Sequence, residues 1–281
     1  MRTWTVPAPD GRQIVGNTHP AAGASSRGHV LIAHGFKGYK DYGFFPWLAE
    51  EVARSGVDAH RFNFSCSGMD HGSGPFDESA FLLDTWNRQV EDLLQLLRHL
   101  QDGTLGNGGD VLLVGHSRGG VSSLLTAGRH AGTQMVSNLH GVVSLAAPDA
   151  CLAMDQDVQR LLLAEGSFAS PSSRTSQDLR VGCGFLQEQL DDPEGHDLLH
   201  QVGAITVPLT VVHGTADSSV DVVAAESIAS AATSACNTHL IDGANHVFNT
   251  PNPSAMDHVP SHELHQVGSI VADVASGLGR H

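Results

Sequence analysis

Short apolar runs of strand length alternate with longer stretches in which apolar residues return every three to four positions, and this rhythm limits the chain to few architectures. Residues 29–33, 57–64, 110–114, 139–146, 207–212 and 238–241 read as strands. Between and after them, 44–54, 83–100, 121–129, 220–232 and 263–275 read as helices. The clearest is 83–100, where Leu83, Trp86, Val90, Leu93, Leu94 and Leu97 share one face. Strands joined through helices require right-handed crossovers, hence a parallel sheet covered on both faces. A hairpin of 3–6 and 13–16 around the turn-rich 7–11 precedes the alternation. The rhythm breaks once, at 148–201, which is helix-rich and holds no convincing strand. The chain therefore reads as one α/β domain, 1–281, with 148–201 as a helical cap inserted at one end of the sheet.

Composition removes several function classes. Thirty acidic residues against fifteen basic ones leave a net charge of −15. Such a surface repels nucleic-acid phosphates and anionic lipids, so neither is expected as a partner. No stretch approaches the ~20 apolar residues of a membrane-crossing helix, and 1–11 is polar and Pro-containing, without the apolar core of a secretion signal. Cys66, Cys151, Cys183 and Cys236 are scattered with no C-x-x-C pair, which fits free thiols in a reducing cytoplasm. His258, His262 and His265 share a helical face near Asp257 and Glu263, but the set matches no zinc-enzyme signature. A solvated cluster is expected there, and neither a metal nor a cofactor. Gly106-Asn107-Gly108-Gly109 lacks the Lys-Ser/Thr of a phosphate loop and precedes a strand, so it reads as a turn.

One segment carries chemistry. Gly115-His116-Ser117-Arg118-Gly119-Gly120 directly follows the apolar strand 110–114 and opens a helix, the setting in which a G-x-S-x-G run forms a nucleophile elbow. The turn is tight enough that side chains at Gly115 and Gly119 would collide with the neighbouring strand and helix. The other reading of the same residues is a glycine-rich turn closed by an N-capping serine.

A serine hydroxyl is a weak nucleophile at neutral pH and needs a base. His246, in Gly243-Ala244-Asn245-His246, lies just past the last strand, where a loop returns to the carboxyl edge of the sheet. An acid must hold the imidazole tautomer. The order Ser, acid, His points to Asp217, which follows the strand 207–212 by a short turn. Asp221 and Asp149 are the other candidates, and Asp217 also suits an ordinary Asx turn. The developing oxyanion needs two backbone donors. The N–H of Arg118, after the nucleophile, is one, and the N–H of Phe36, in His34-Gly35-Phe36 behind the strand 29–33, is the other.

With these pieces in place the sequence resembles the α/β-hydrolase superfamily, among its feruloyl/cinnamoyl-esterase-like, monoacylglycerol-lipase-like and dienelactone-hydrolase-like members. The matching residues are His34-Gly35-Phe36, His60-Arg61-Phe62-Asn63-Phe64 leading to Ser67-Gly68, the elbow, His213-Gly214-Thr215-Ala216-Asp217 and Gly243-Ala244-Asn245-His246. The resemblance implies a mostly parallel eight-stranded sheet, a cap after the sixth strand, and a Ser-Asp-His triad at Ser117, Asp217 and His246. Two departures from the family stand out. Asn63 stands where an Asp is frequent and Ser65-Cys66-Ser67-Gly68-Met69-Asp70 where Gly-His-Gly-x-Ser is frequent, and Arg118 replaces the commoner Gln, Met or Leu. The first change touches the substrate mouth. The second leaves the backbone N–H intact and frees a guanidinium to tie down the cap or a neighbouring loop.

The expected reaction is hydrolysis of a small-molecule carboxylic ester or thioester through an acyl-enzyme on Ser117. Phe36, Phe44, Phe45, Leu152, Met154, Phe168 and Phe185 are candidates to line a pocket for a small or medium apolar or aryl acyl group, and the acidic chain favours a neutral substrate. An acyltransferase or an aminopeptidase is the alternative on the same residues. The second would need acids of the cap, Glu165, Glu188, Asp191, Asp192 and Glu194, around a substrate ammonium. A non-catalytic binding member of the fold would not require the triad and both donor loops.

Overall fold

Along each central strand successive side chains point to opposite faces, and the apolar residues divide accordingly. In β3 (His29–Ala33), Leu31 and Ala33 enter one buried cluster while Val30 and Ile32 enter the other. In β5 (Val111–His116) the same division separates Val111 and Leu113 from Leu112 and Val114. Both strands are buried throughout, as expected of a parallel sheet covered on both faces.

The computed structural model describes residues 1–279 except 24, 70–73, 153, 173 and 253–258. The chain begins with β1 (Arg2–Pro7) and β2 (Gln13–His19), then β3, α1 (Phe45–Arg54), β4 (Asp58–Asn63), α2 (Glu78–Phe81), α3 (Trp86–Gln101), β5, α4 (Arg118–Arg129) and β6 (Leu139–Leu145). Next come α5 (Gln156–Glu165), β7 (Ser167–Ala169), β8 (Arg180–Gly182), α6 (Gly184–Asp191) and α7 (Leu198–Ala204). The last elements are β9 (Leu209–Gly214), α8 (Val223–Ala231), β10 (Cys236–Ile241) and α9 (His262–Ser276). Eight strands form one sheet in the order β1-β2-β4-β3-β5-β6-β9-β10. β2 pairs antiparallel with β1 and β4, and the remaining neighbours are parallel. α3 and α4 pack into one cluster; α1 and α9 form the other. Leu93, Leu96 and Leu97 of α3 are fully buried, each contributing roughly 1.5–3 kcal/mol. Among the described residues no helix is long and apolar enough to cross a membrane.

This order sets the site. From β3 the chain moves to β4 on one side and later to β5 on the other, so the strand order reverses between β3 and β5. In open α/β sheets such a switch opens a crevice at the carboxyl ends of the strands. The register pairs Ala33 with Gly115, which brings the loop after β3 beside the turn after β5.

Three details differ from the sequence reading. The helix expected at 83–100 begins at Trp86, because the Thr85 hydroxyl caps it by accepting from the Arg88 N–H; Leu83 stays outside and is exposed. The one-turn α2, capped by Asp77, has no counterpart among the expected helices. The stretch 148–201 holds the antiparallel pair β7–β8, with Phe168 opposite Val181, as well as helices. Strands of three residues are too short to show a period. α7 joins the helices that cover the sheet: it packs on α4 so closely that a Cβ at Gly128 would lie 2.2 Å from the Gln201 carbonyl oxygen.

Candidate active site

The turn after β5 is built by its glycines. A Cβ on Gly115 would lie 2.2 Å from the Gly119 carbonyl oxygen, and one on Gly119 would lie 2.5 Å from the carbonyl oxygens of Ala33 and His34. Between them Ser117 adopts φ +53° and ψ −120°, a conformation costly for a residue with a side chain. Ser117 precedes α4 but makes no side-chain cap. Its Oγ lies 3.1 Å from His246 Nε2 instead, which sets aside the N-cap reading.

His246 follows β10 and Asp217 follows β9. His246 Nδ1 donates to Asp217 Oδ2 at 2.8 Å, leaving Nε2 to accept from the Ser117 hydroxyl. The other oxygen of Asp217 accepts from the N–H groups of Ser219 (2.8 Å) and Val220 (3.0 Å). Asp217 thus makes the Asx turn and holds the imidazole at once. Burial pushes its carboxyl up, but the Val220 N–H, His246 and the Ser219 N–H outweigh it and keep the pKa below the usual carboxylate value. His213 Nε2 lies 3.1 Å from the Val220 carbonyl and 3.3 Å from Asp217 Oδ2. Asp221 accepts from the Val223 N–H, and of the nearby acids it is Asp217 that meets His246.

Two further histidines position this chain, and sequence reasoning did not assign them. His116 Nε2 donates to the His246 carbonyl at 2.8 Å, with its ring between Phe44, Phe45 and His246. Burial lowers His116 to about 3, so the ring is neutral. His34 Nδ1 donates to the Gly35 carbonyl (2.9 Å), and its Nε2 accepts from the Phe64 N–H (3.3 Å). Burial lowers His34 to about 4. Their partners are backbone groups, which leave no trace in residue type.

Neutral buried histidines make stability depend on pH with a definite sign. His19 is also lowered to about 4, chiefly by burial, and His60 falls well below the ordinary imidazole value. Below pH ~6.5 the unfolded chain binds protons that these four rings refuse, so stability is lost as pH falls. Asp92, pushed up to about 7 by burial, and Asp84, raised for the same reason, act the other way. The lowered rings outnumber the raised carboxyls, so stability is expected to fall as the pH is taken from about 7 to about 5. Urea denaturation at pH 5, 6 and 7 measures this, and a flat profile would show that the rings charge freely in the fold.

The loop after β3 abuts Ser117: a Cβ on Gly35 would lie 3.1 Å from Ser117 Cβ. The Gly35 carbonyl is held by His34 and by the Gly38 N–H (3.0 Å). Because the peptide is planar and trans, the Phe36 N–H is fixed on the opposite side. Arg118 stands at the start of α4. It donates to the Asp84 carbonyl at 3.1 Å, approaches the Asp84 carboxylate at 3.5 Å, and lies against the rings of Phe36, Trp86 and Phe185. It ties the elbow to the 82–85 turn and to α6. Asn63 is also structural: it accepts from the Lys40 N–H and donates to the Met69 carbonyl, and an Asp could not make the second bond. Asp70 lies outside the described residues.

A crevice of about 750 Å³ opens at Ser117 and His246, lined by Phe36 and Phe45 from one side and by Pro171 and Ser172 from the 148–201 stretch. Of the other apolar candidates, Phe44 is buried against His116 and Phe248, Phe185 packs on Trp86, and Leu152, Met154 and Phe168 are not among the described lining residues. Glu165, Glu188, Asp191, Asp192 and Glu194 do not line it either. Glu188 instead accepts from the Asn87 N–H, and Asp192 from the Gly195 N–H.

Elsewhere, His262 and His265 lie on α9, one bonded to Gln266 and the other edge-on to Trp47; His258 and Asp257 lie outside the described residues. His29, Asp58 and His60 come close enough to suggest a metal set. His29 Nε2, however, meets the Gly108 carbonyl, His29 Nδ1 meets His60 Nε2, and His60 Nδ1 meets Thr18 Oγ1. These ring nitrogens serve a hydrogen-bond relay at the amino edge of the sheet.

No curated protein matches the sequence. Solved structures of similar shape include the esterase domain of a Rhodothermus marinus protein (18% identity, TM-score 0.66, covering 98% of this chain and 97% of that one). Est1E from Butyrivibrio proteoclasticus with ferulic acid bound is another (17%, 0.72, 98% of each chain). A Paleococcus ferrophilus monoacylglycerol lipase is a third (14%, 0.68, 98% and 99%). At these identities the likeness shows the fold. A family model described as "Alpha/beta hydrolase family" matches residues 30–257, and on that span the chain belongs to the α/β-hydrolase family.

Proposed function

We propose that the protein is a serine hydrolase that cleaves carboxylic esters through an acyl-enzyme on Ser117. The observation that carries this reading is the unbroken chain Ser117 Oγ–His246–Asp217, facing a crevice large enough for a small molecule. Ser117 Oγ attacks the ester carbonyl carbon while His246 Nε2 takes the hydroxyl proton. The negative charge that moves onto the carbonyl oxygen is held by the N–H groups of Phe36 and Arg118. Collapse of the intermediate breaks the bond to the alcohol, which leaves with the proton from His246. Water, deprotonated by the same imidazole, then releases the carboxylic acid. Asp217 keeps Nδ1 protonated throughout and stabilises the imidazolium.

The stretch 148–201 serves as the cap of a single domain, with Pro171 and Ser172 at the substrate. The cap acids lie away from the crevice, which supports an ester over an aminoacyl amide. We place the protein in a reducing compartment, the cytoplasm: its four cysteines are free, and burial pushes Cys66 and Cys151 up to about 11 and about 12, where they stay protonated.

A fluorophosphonate probe tests the nucleophile. Intact-mass analysis is expected to show one adduct, mapped to Ser117 and missing in Ser117→Ala, together with hydrolysis of 4-nitrophenyl esters and none of aminoacyl anilides. Folded protein that takes up no probe would remove the nucleophile from the proposal.

A further inference from the structure

A single hydrogen decides the form of the His29–His60 relay. His29 Nε2 faces two oxygens, the Gly108 carbonyl at 2.9 Å and Asn107 Oδ1 at 3.0 Å. A carbonyl can only accept, so Nε2 carries the ring's proton and Nδ1 presents a lone pair. That lone pair faces His60 Nε2, 3.1 Å away. With the hydrogen on His60 Nε2 the two rings share it, and His60 Nδ1 accepts from the Thr18 hydroxyl at 2.9 Å. A hydroxyl also accepts, however, so His60 can hold its proton on Nδ1 and donate to Thr18 Oγ1 instead. Two ring lone pairs then face each other across a gap that suits a cation and not a hydrogen bond.

Sheet register supplies a third ligand. β3 pairs His29 with Asp58, two residues before His60 on β4, so all three side chains stand on one face of the sheet. Asp58 Oδ1 accepts from the Ala21 N–H at 2.8 Å, and Oδ2 lies 3.9 Å from His29 Nδ1. The three ligand atoms lie within 4.8 Å of one another. Around a tetrahedral zinc with bonds of about 2.0–2.2 Å, neighbouring ligand atoms stand roughly 3.4 Å apart. The ring nitrogens are already near that spacing, and a small turn of the partly exposed Asp58 carboxylate closes the rest. Both rings are fully buried, and a Cβ on Gly106 would lie 2.5 Å from His29 Cε1, so the loop before β5 holds that ring in place. Outer nitrogens that donate to a carbonyl and a hydroxyl are the partners that orient histidine on a metal.

We propose that His29, Asp58 and His60 bind a divalent cation of the zinc class, with solvent completing the shell beside Asp58. Two imidazoles and one carboxylate are donors that zinc favours. The ion takes the place of the shared hydrogen: the His60 proton moves from Nε2 to Nδ1, both rings stay neutral, and no proton leaves the protein. Its role is structural. His29 and Asp58 open β3 and β4, whereas Ser117 follows the end of β5, so the ion lies at the opposite edge of the sheet from the crevice. The site is independent of the serine-hydrolase reading. It revises the expectation of no metal, because only strand pairing brings His29 to Asp58 and His60.

Untagged full-length protein, stripped with EDTA and titrated with ZnCl2, tests the site by equilibrium dialysis and by the ¹⁵N chemical shifts of His60. Binding is expected to saturate at one tight equivalent, and the His60 proton to pass from Nε2 to Nδ1 as it does. Co2+ in place of zinc should give the visible bands of four-coordinate cobalt. Asp58→Asn and His29→Gln should each weaken binding about tenfold or more, since outer-shell partners alone are worth about 10–100-fold. His262→Gln, at an exposed position of α9, should leave it unchanged. The tautomer needs only the parent protein and decides the matter even where a variant fails to fold. No saturable equivalent, a His60 that keeps its proton on Nε2 at saturating zinc, or parent affinity in folded Asp58→Asn and His29→Gln overturns the site.

Discussion

Ser117→Ala is expected to lower kcat for ester hydrolysis by roughly 10⁴–10⁶, because the hydroxyl that forms the covalent bond is gone and no neighbouring group replaces it. His246→Ala should cost nearly as much, and the double variant scarcely more than either alone, since the two residues act as one unit. Ser117→Gly should be equally inactive but more stable than Ser117→Ala. At φ +53° and ψ −120° a Cβ is strained whichever side chain it carries, at a cost of about 1–3 kcal/mol. Glycine removes that strain and gives back about 0.5–1 kcal/mol through greater freedom of the unfolded chain. The net advantage of about 1 kcal/mol corresponds to a Tm roughly 2 °C above the alanine variant. Kinetics and thermal melts of the three proteins measure both effects. A glycine variant that melts below the alanine variant would mean that the elbow stores no backbone strain.

The features legible in advance are those that residue type and period can encode. The two-residue period of β3 and β5 and the 3.6-residue period of α3 are direct consequences of which faces are buried, so the sheet and its helices could be read from apolar spacing. The elbow was legible because only glycine survives at Gly115 and Gly119. Ser117, Asp217 and His246 were legible because each comes just after a readable strand, and parallel strands deliver their trailing loops to one edge of the sheet.

Features that depend on backbone partners or on long-range approach could not be read in the same way. His116 and His34 act on carbonyls, and with eighteen histidines in the chain neither stands out by type. β7 and β8 are three residues each, below the length at which alternation can be seen. The meeting of the two crevice walls was invisible for a different reason. Lys37 and Arg174 are far apart in the chain, and only the fold of the 148–201 stretch brings them to one crevice while the cap acids turn elsewhere.

Asp217→Asn separates the orienting role of the carboxylate from its part in folding. An amide placed there with its oxygen toward Ser219 and Val220 keeps both backbone hydrogen bonds. Its NH₂ then faces His246 Nδ1, where Oδ2 now accepts at 2.8 Å. Two donors cannot share that contact, so the ring must carry its proton on Nε2, the nitrogen that has to receive the Ser117 proton. The variant is therefore expected to stay folded, with kcat near pH 7 lowered by about 10³–10⁴. Ground-state binding touches none of these atoms, so KM should move little by comparison. The tautomer is directly observable: ¹⁵N chemical shifts of His246 should show a protonated Nδ1 in the parent protein and a protonated Nε2 in the variant. A folded Asp217→Asn protein with the parent tautomer and near-parent kcat would mean that the imidazole is oriented by His116 and its own loop, and that Asp217 contributes the turn alone.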